Sequence, residues 1–276
     1  MKFFISINKQ MNINDINNIV IIRFSVRLQH FNFFKNEKER TSWFIFRAKL
    51  FNSFLHNCLQ VQTKKPNKVY VLVDKDDANL VKQYLNVSNI TILYCNNEMK
   101  YYKNQIVNDL YKNKLTKNLV ISRIDSDDLI NKDFFYNMNQ QLLIHPAKKL
   151  VACRGYLTNL TNIQSLFYTN SPFISECINF ETNLSNAEEV KNLLNFSLFD
   201  VSHTIHVQSV EHVQNHNAEW IQLIHHTNIS NKLLDDTKST VNNASLYCTP
   251  LIPIDHIWFN NWAGFQFSKI EEFCYV

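Results

Sequence analysis

The chain of 276 residues has a formal net charge of +4, with 45% hydrophobic and 19% charged residues, as is ordinary for a folded domain. It contains only two glycines, Gly155 and Gly264, which excludes a Walker loop and a Gly-x-Gly-x-x-Gly loop, because both need glycine backbone near phosphates. The small net charge, without a long Lys/Arg run, argues against nucleic acid as a partner.

Strand and helix patterns alternate through the first half of the chain. We predict strands at residues 18–24, 68–74, 90–94 and 119–124, and helices at 42–61, 76–84, 101–115 and 132–145. Thr41 or Ser42 is the expected N-cap of the first helix. Continuous apolar strands separated by helices predict an open, mainly parallel α/β sheet that helices cover on both faces.

The second half of the chain has shorter and less regular patterns. We predict strands at 150–153, 164–168, 201–207 and 220–225, and a helix at 187–194. No linker or repeat divides the chain, so residues 1–276 are expected to form a single domain. Its first half (about 18–150) resembles a ligand-binding sheet, and its second half (about 151–276) is less regular.

The cysteines and the apolar runs bear on the compartment. Cys58, Cys95 and Cys153 sit in apolar runs without a Cys-x-x-Cys pair, which predicts buried thiols in a reducing compartment. The apolar opening is too short for a signal peptide, and no run reaches membrane-spanning length. We therefore expect a cytoplasmic protein without a transmembrane segment, whose mild basicity is compatible with peripheral contact at an acidic membrane.

Three carboxylates follow the fourth predicted strand. Asp125 and Asp127 are two residues apart, so an extended backbone would place both side chains on one face. Crowded carboxylates need a counter-charge, and a hard divalent cation such as Mn²⁺ or Mg²⁺ would supply it. The alternative is a solvated acidic turn that caps the helix starting near Asn131. Both interpretations stay open on this stretch alone.

A strand, an Asp-x-Asp motif and a helix in this order are similar to the GT-A fold, whose glycosyltransferases hold a metal against a nucleotide-sugar diphosphate. Several ordered blocks also resemble the rhamnosyltransferase family of bacterial and related glycosyltransferases. The blocks are residues 22–27, 43–74 with its Gln62-Thr63 element, 122–128, 171–173 and 220–230. One departure is His226, where the family usually has glycine, and it leaves open whether His225 or His226 faces the site.

The resemblance implies a metal site and a GT-A-like fold, with a nucleotide-sugar-binding half at about 18–150 and an acceptor-side half at about 151–276. Asp125 and Asp127 would hold Mn²⁺ or Mg²⁺, His225 would complete the metal shell, and Asp128 would orient the loop or the sugar. Alternatively, His225 ends an apolar strand and only forms a hydrogen bond with a nearby carbonyl group.

The resemblance also implies contacts with a nucleoside-diphosphate sugar donor. The candidate substrate-binding residues are Phe24, Ser25, Arg27, Asp74, Arg123 and Trp220. Arg23 and Arg27 flank the end of the first strand, and at most one of them needs to face a ligand. Asp74 either accepts from the nucleoside or caps the next helix. Arg123 either fixes the carboxylate loop or contacts the diphosphate, and Trp220 either packs in the core or stacks on the acceptor.

The predicted function is a metal-dependent glycosyltransferase that moves a sugar, such as rhamnose, to a hydroxyl of a glycan or lipid-linked acceptor. Inversion at the anomeric carbon needs a general base. The candidates are Asp200, Glu211, Glu219 and Asp255, of which we select Glu219 because it lies beside the Trp220 block. The alternative function is a degenerate GT-A-like module that binds glycan or nucleotide without turnover.

Overall fold

The computed structural model describes residues 12–25, 34, 36–95, 100–115, 118–145, 149–169, 171, 173–178, 213–225, 239–241 and 244–266. The strands of these residues join one mixed sheet. They are β1 (Asn17–Arg23), β2 (Lys68–Asp74), β3 (Thr91–Cys95), β4 (Leu119–Asp125), β5 (Asp128–Ile130), β6 (Lys149–Thr158), β7 (Asn162–Tyr168), β8 (Ile174–Ile178), β9 (Val213–Leu223), β10 (Ser239–Val241), β11 (Ala244–Cys248) and β12 (Ile252–Pro253).

The helices cover both faces of this sheet. They are α1 (Glu37–Ser53), α2 (Leu55–Gln60), α3 (Ala78–Tyr84), α4 (Lys100–Lys112), α5 (Phe134–Ile144) and α6 (His256–Ala263). α1, α2 and α5 pack on the sheet face that carries Val20 and Ile22, and α4 packs on the face that carries Ile19 and Ile21. Within the described residues, none of these helices is long and apolar enough to cross a membrane.

The central strands β4, β1, β2 and β3 are parallel and stand in that spatial order. From β1 the chain moves outward to β2 and β3, then returns to place β4 on the other side of β1. β1 and β4 are therefore the point at which the strand order reverses. In open α/β sheets, ligands bind beyond the carboxyl ends of the strands at such a point. The predicted α/β architecture with a parallel central sheet is confirmed.

The first helix differs from its predicted start and length. It begins at Glu37, because the Asn36 side chain accepts a bond from the Glu39 N–H at 2.9 Å and acts as the N-cap. Glu37 and Glu39 in the first turn add favourable charge at the positive end of the helix dipole. The predicted single helix is also broken at Phe54, where the backbone leaves the helical region and α2 begins.

The second half of the sheet is built around β6. This strand pairs antiparallel with β7 and β8 and parallel with β9. β5 and β8 were not predicted, and the predicted strand at 220–225 is the end of the longer β9. The predicted helix at 187–194 and strand at 201–207 lie outside the described residues.

Trp220 is a core residue and not a ligand platform, which corrects its assignment as a substrate contact. The side chain is fully buried and stacks on Phe173, with 4.7 Å between ring centroids and 12° between planes. Its Nε1–H donates to the Ala152 carbonyl at 2.7 Å. Gly155 leaves the space for the indole, because a Cβ there would lie 2.3 Å from Trp220 Cδ2.

A buried ion pair joins β6 and β8. Lys149 Nζ lies 3.7 Å from Glu176 Oε1, and both residues are buried. Neither carboxylate oxygen of Glu176 has a hydrogen-bond partner among the described residues. Burial outweighs the nearby lysines and raises the pKa of Glu176 from 4.5 to about 7.

The raised pKa of Glu176 predicts that the free energy of unfolding falls as the pH rises from about 4.5 to about 7. Because the folded state holds the Glu176 proton more tightly, unfolding releases it between about pH 4.5 and pH 7. Glu176 should therefore contribute a fall of at most about 3 kcal/mol to the free energy of unfolding across that window, as 1.36 kcal/mol per pKa unit implies. Urea unfolding at several pH values measures it. Glu176→Gln should flatten the profile, whereas the exposed control Glu37→Gln should not. An unchanged slope in Glu176→Gln would contradict the assignment.

Candidate functional site

The predicted acidic cluster lies where β1 and β4 end side by side. Arg23 and Asp125, the last residues of the two strands, are register partners in the parallel pair. β4 stops at Asp125, and Ser126 and Asp127 form the turn into β5. The cluster is therefore at the carboxyl edge of the sheet, beside the reversal of strand order.

The two carboxylates predicted to share a metal have different partners. Asp125 Oδ1 lies 3.5 Å from Arg123 Nη2 and 3.8 Å from Arg23 Nη2. Asp127 is on the turn and not on an extended strand, so the predicted shared face is not formed. The alternative of a solvated capping turn is also wrong, because Asp127 is buried and α5 has Asp133 as its N-cap residue.

One carboxylate oxygen of Asp127 contacts two side chains, one from α1 and one from just beyond the end of β9. Asp127 Oδ2 accepts from Arg47 Nη1 at 2.5 Å and lies 3.0 Å from His225 Nε2. The Arg47 Nε–H also donates to the Ser126 hydroxyl at 2.8 Å. One guanidinium group therefore holds two successive residues of the turn, and the strand end that carries His225 closes over the same carboxylate.

α1 positions Arg47 and also contacts His225. Trp43 is one helical turn before Arg47, and the Arg47 guanidinium carbon lies 5.8 Å from the centroid of the Trp43 ring. Phe46 meets the His225 ring edge to face, with 5.5 Å between centroids. The aromatic side chains of one helix face thus hold both groups that contact Asp127.

Asp128 is the most deeply buried carboxyl group of the cluster. It pairs with Gln222 in the antiparallel ladder of β5 and β9. Burial, followed by the negative charges of Asp127 and Asp125, raises the pKa of Asp128 well above its usual range.

The residues as arranged do not fit the predicted metal site. Asp127 and His225 do lie together, but their facing atoms contact each other and Arg47. Among the described residues there is no group of three or more His, Cys, Asp or Glu side chains placed to hold a metal ion. A metal was expected because crowded carboxylates need a counter-charge, and here arginines supply that charge.

The predicted nucleoside contacts are mostly used by the fold. Phe24 is buried against Phe44 and Phe51, so it is a core residue and its assignment as a base contact is corrected. The Ser25 hydroxyl accepts from the Asp74 N–H at 3.2 Å. The Asp74 carboxylate accepts from the Asp76 N–H at 2.9 Å and caps the turn that follows. Arg27 and His226 lie outside the described residues.

Glu219 is not placed as a general base beside the cluster. Its two carboxylate oxygens accept from Trp262 Nε1 at 2.8 Å and from the Tyr156 hydroxyl at 3.5 Å. Side chains alternate along β9, so Glu219 projects from the face opposite to Gln222, which meets Asp128. Asp255 caps α6 through the N–H groups of residues 257 and 258. Asp200 and Glu211 lie outside the described residues.

Sequence reasoning missed Arg47, which makes the closest contact with the cluster. A usable signal was present, because Arg47 stands on the same helical face as aromatic residues of α1, at positions 43 and 46. An arginine that lies on an aromatic face is suited to a buried ion pair or an anion. Its partner is 80 residues away in sequence, so that local pattern could not identify Asp127.

No family model and no curated protein matches this chain. Solved structures with distant similarity include S. aureus TarS in complex with UDP-GlcNAc, at 19% identity over 51% of this chain and 35% of that chain, with a TM-score of 0.31. Another is 4-diphosphocytidyl-2C-methyl-D-erythritol synthase from Anaerococcus prevotii, at 11% identity over 74% and 89% of the two chains, with a TM-score of 0.33. A third is a candidate nucleotide-diphospho-sugar transferase from Desulfovibrio desulfuricans, at 8% identity over 75% and 81%, with a TM-score of 0.37. The chain thus spans about a third of that TarS structure (35%).

Proposed function

We propose that the protein is a glycosyltransferase that uses a nucleoside-diphosphate sugar as its donor. The observation that carries this proposal is the cluster of arginines and aspartates at the carboxyl ends of β1 and β4. A reversal of strand order is where an open α/β sheet binds its ligands. Guanidinium groups there suit a phosphate-bearing ligand, in a chain with too few glycines for a phosphate-binding loop.

The chemistry requires stabilisation of the departing diphosphate. Negative charge builds on that group as the glycosidic bond breaks, and preorganised positive groups lower the barrier. The acceptor hydroxyl must lose its proton to a base, for which none of the described candidates is suitably placed. A rhamnosyl donor, inversion and a lipid-linked acceptor are finer proposals that rest on the sequence resemblance, and a cytoplasmic location is a proposal that rests on the cysteine pattern. A bound Mn²⁺ or Mg²⁺, which the same resemblance implies, is not part of this proposal, because the residues as arranged do not fit it.

A second candidate function is a degenerate module that binds a nucleotide sugar without transferring it. The observation that favours it is the use of Glu219 and Asp255 in structural hydrogen bonds. Loss of an active base would leave the α/β sheet and the arginine cluster intact. The protein would then still bind the nucleotide sugar, but the bond between its anomeric carbon and the diphosphate would not be cleaved.

Release of free nucleoside diphosphate distinguishes the two functions. The full chain would be incubated with UDP-, dTDP- and GDP-sugars and with glycan and lipid-linked acceptors, with and without Mn²⁺. Turnover with one donor that depends on an acceptor is the expected result. Binding of a donor without turnover would support the module, and absence of binding to any nucleotide would contradict both functions.

A further inference from the structure

We infer that Arg23 and Arg47, held in place by Asp125 and Asp127, bind the diphosphate of the donor without a divalent cation. The inference rests on the proposed function and specifies how that site recognises its ligand. It assigns the two aspartates a different role from the predicted one. They would anchor arginine side chains instead of coordinating a metal.

The geometry of Arg47 leaves it able to bind an anion. A guanidinium group carries five N–H donors, and the described contacts of Arg47 use one at Nε and one at Nη1. These contacts fix the side chain, and because it is 14% exposed, solvent still reaches part of it. A phosphate oxygen can accept from the remaining donors without displacing Asp127 or Ser126. A group fixed beforehand in this way loses little conformational freedom when it binds.

Arg23 supplies a second positive charge at the same edge of the sheet. Its side chain is 23% exposed, and its Nη2 is 3.8 Å from Asp125 Oδ1, which is an ion pair longer than a hydrogen bond. Arg123 is only 2% exposed and lies closer to Asp125. Arg123 is therefore the buried counter-charge of Asp125, and Arg23 is the one of the two that can turn towards a ligand.

The charge balance of the cluster favours an anion over a cation. Three guanidinium groups face the two carboxylates of Asp125 and Asp127. A divalent cation bound through Asp127 Oδ2 would have to displace Arg47 and His225 from that oxygen. The cation would then lie close to the Arg47 guanidinium group in a buried environment, where repulsion between like charges is strong.

Calorimetric titration of the full chain with UDP, dTDP, GDP and CDP tests the inference, once in EDTA and once in Mn²⁺. For the nucleotide that binds, the two Kd values should agree within about threefold. Arg47→Met should weaken binding by about 10- to 100-fold, because charge-assisted bonds to phosphate are lost. The Kd of Arg47→Lys should lie between those of the unmodified chain and Arg47→Met, because lysine keeps the positive charge but lacks the paired N–H donors of the guanidinium group. Arg154→Met, on an exposed part of β6, is the matched control and should bind as the unmodified chain does.

Each outcome decides the inference. Binding that appears or strengthens at least about tenfold with Mn²⁺ would overturn it and leave the proposed function standing. Unchanged affinity in a folded Arg47→Met would overturn it as well. Absence of binding to any of the four nucleotides would overturn the inference together with the function. The comparison of EDTA with Mn²⁺ needs no variant, so a variant that fails to fold does not remove the test.

Discussion

Asp127→Asn is expected to lower kcat/KM for donor turnover by about 10²- to 10³-fold, the usual loss when one preorganised electrostatic group is removed. The substitution keeps the size of the side chain and removes its charge. Arg47 and His225 would then share at most a neutral amide oxygen in place of the carboxylate, and the guanidinium group would hold the turn less tightly. The measurement is acceptor-dependent release of nucleoside diphosphate. The expectation holds whether Asp127 anchors an arginine or binds a metal.

A matched control separates this effect from general loss of an aspartate. Asp15→Asn makes the same change at an exposed position before β1, at the opposite edge of the sheet. It should leave kcat/KM unchanged. Because Asp127 is a buried member of an ion pair, its loss can also cost stability, so rates are compared at a temperature where circular dichroism shows both variants folded. A folded Asp127→Asn with full activity would rule out a functional role for this carboxylate.

Gly155→Ala is expected to destabilise the protein by about 3 kcal/mol, at the upper end of the range for overpacking a core. The added Cβ would lie 2.3 to 2.5 Å from three atoms of the Trp220 indole. The indole has little freedom to move, because it stacks on Phe173 and donates to the Ala152 carbonyl. Urea unfolding would measure the change as a lower midpoint with a similar m-value.

Two further variants show whether the indole is the cause. In a Trp220→Leu background, Gly155→Ala should cost much less, so the two substitutions should be strongly non-additive. Gly264→Ala is a comparison at a strained backbone position, since Gly264 has a φ of +81° at the end of α6 and the atoms nearest to an added Cβ belong to Lys132 and Val61, at 3.0 to 3.3 Å. It should cost about 1 kcal/mol. Additive effects of Gly155→Ala and Trp220→Leu would show that the ring does not limit this position.

The parallel core of the sheet was predictable because its strands are continuous apolar runs. β2 has the predicted bounds, Lys68–Asp74, and β1 differs from its prediction by one residue at each end. β8 was not predicted, because a charged residue at its centre, Glu176, argues locally against a buried strand. β5 has only three residues and forms because β9 pairs with it. Such tertiary pairing has no local sequence signal.

The candidate site was predicted in its location and not in its chemistry. Placing Asp125 at the end of a buried strand followed from the apolar run before it, and the resemblance related His225 to the same site. Neither approach indicated that Arg47 would reach Asp127, because helix and turn are far apart along the chain. The carboxylates therefore suggested a cation from solution, whereas the fold provides one from α1. Phe24 and Trp220 were assigned to ligands because aromatic residues serve both cores and binding sites.

The contacts of Asp127 with Arg47 and His225 determine at which stage of folding the site forms. Asp127 is 80 residues from Arg47 and 98 residues from His225 along the chain. Closing loops of this length is entropically unfavourable until the intervening strands have paired. A ligand that binds only the completed cluster would therefore stabilise the whole domain, by an amount that grows with the logarithm of its concentration above Kd. A shift in thermal melting on adding nucleotide would thus report complete folding, and a fragment that ends before residue 225 should show a reduced shift.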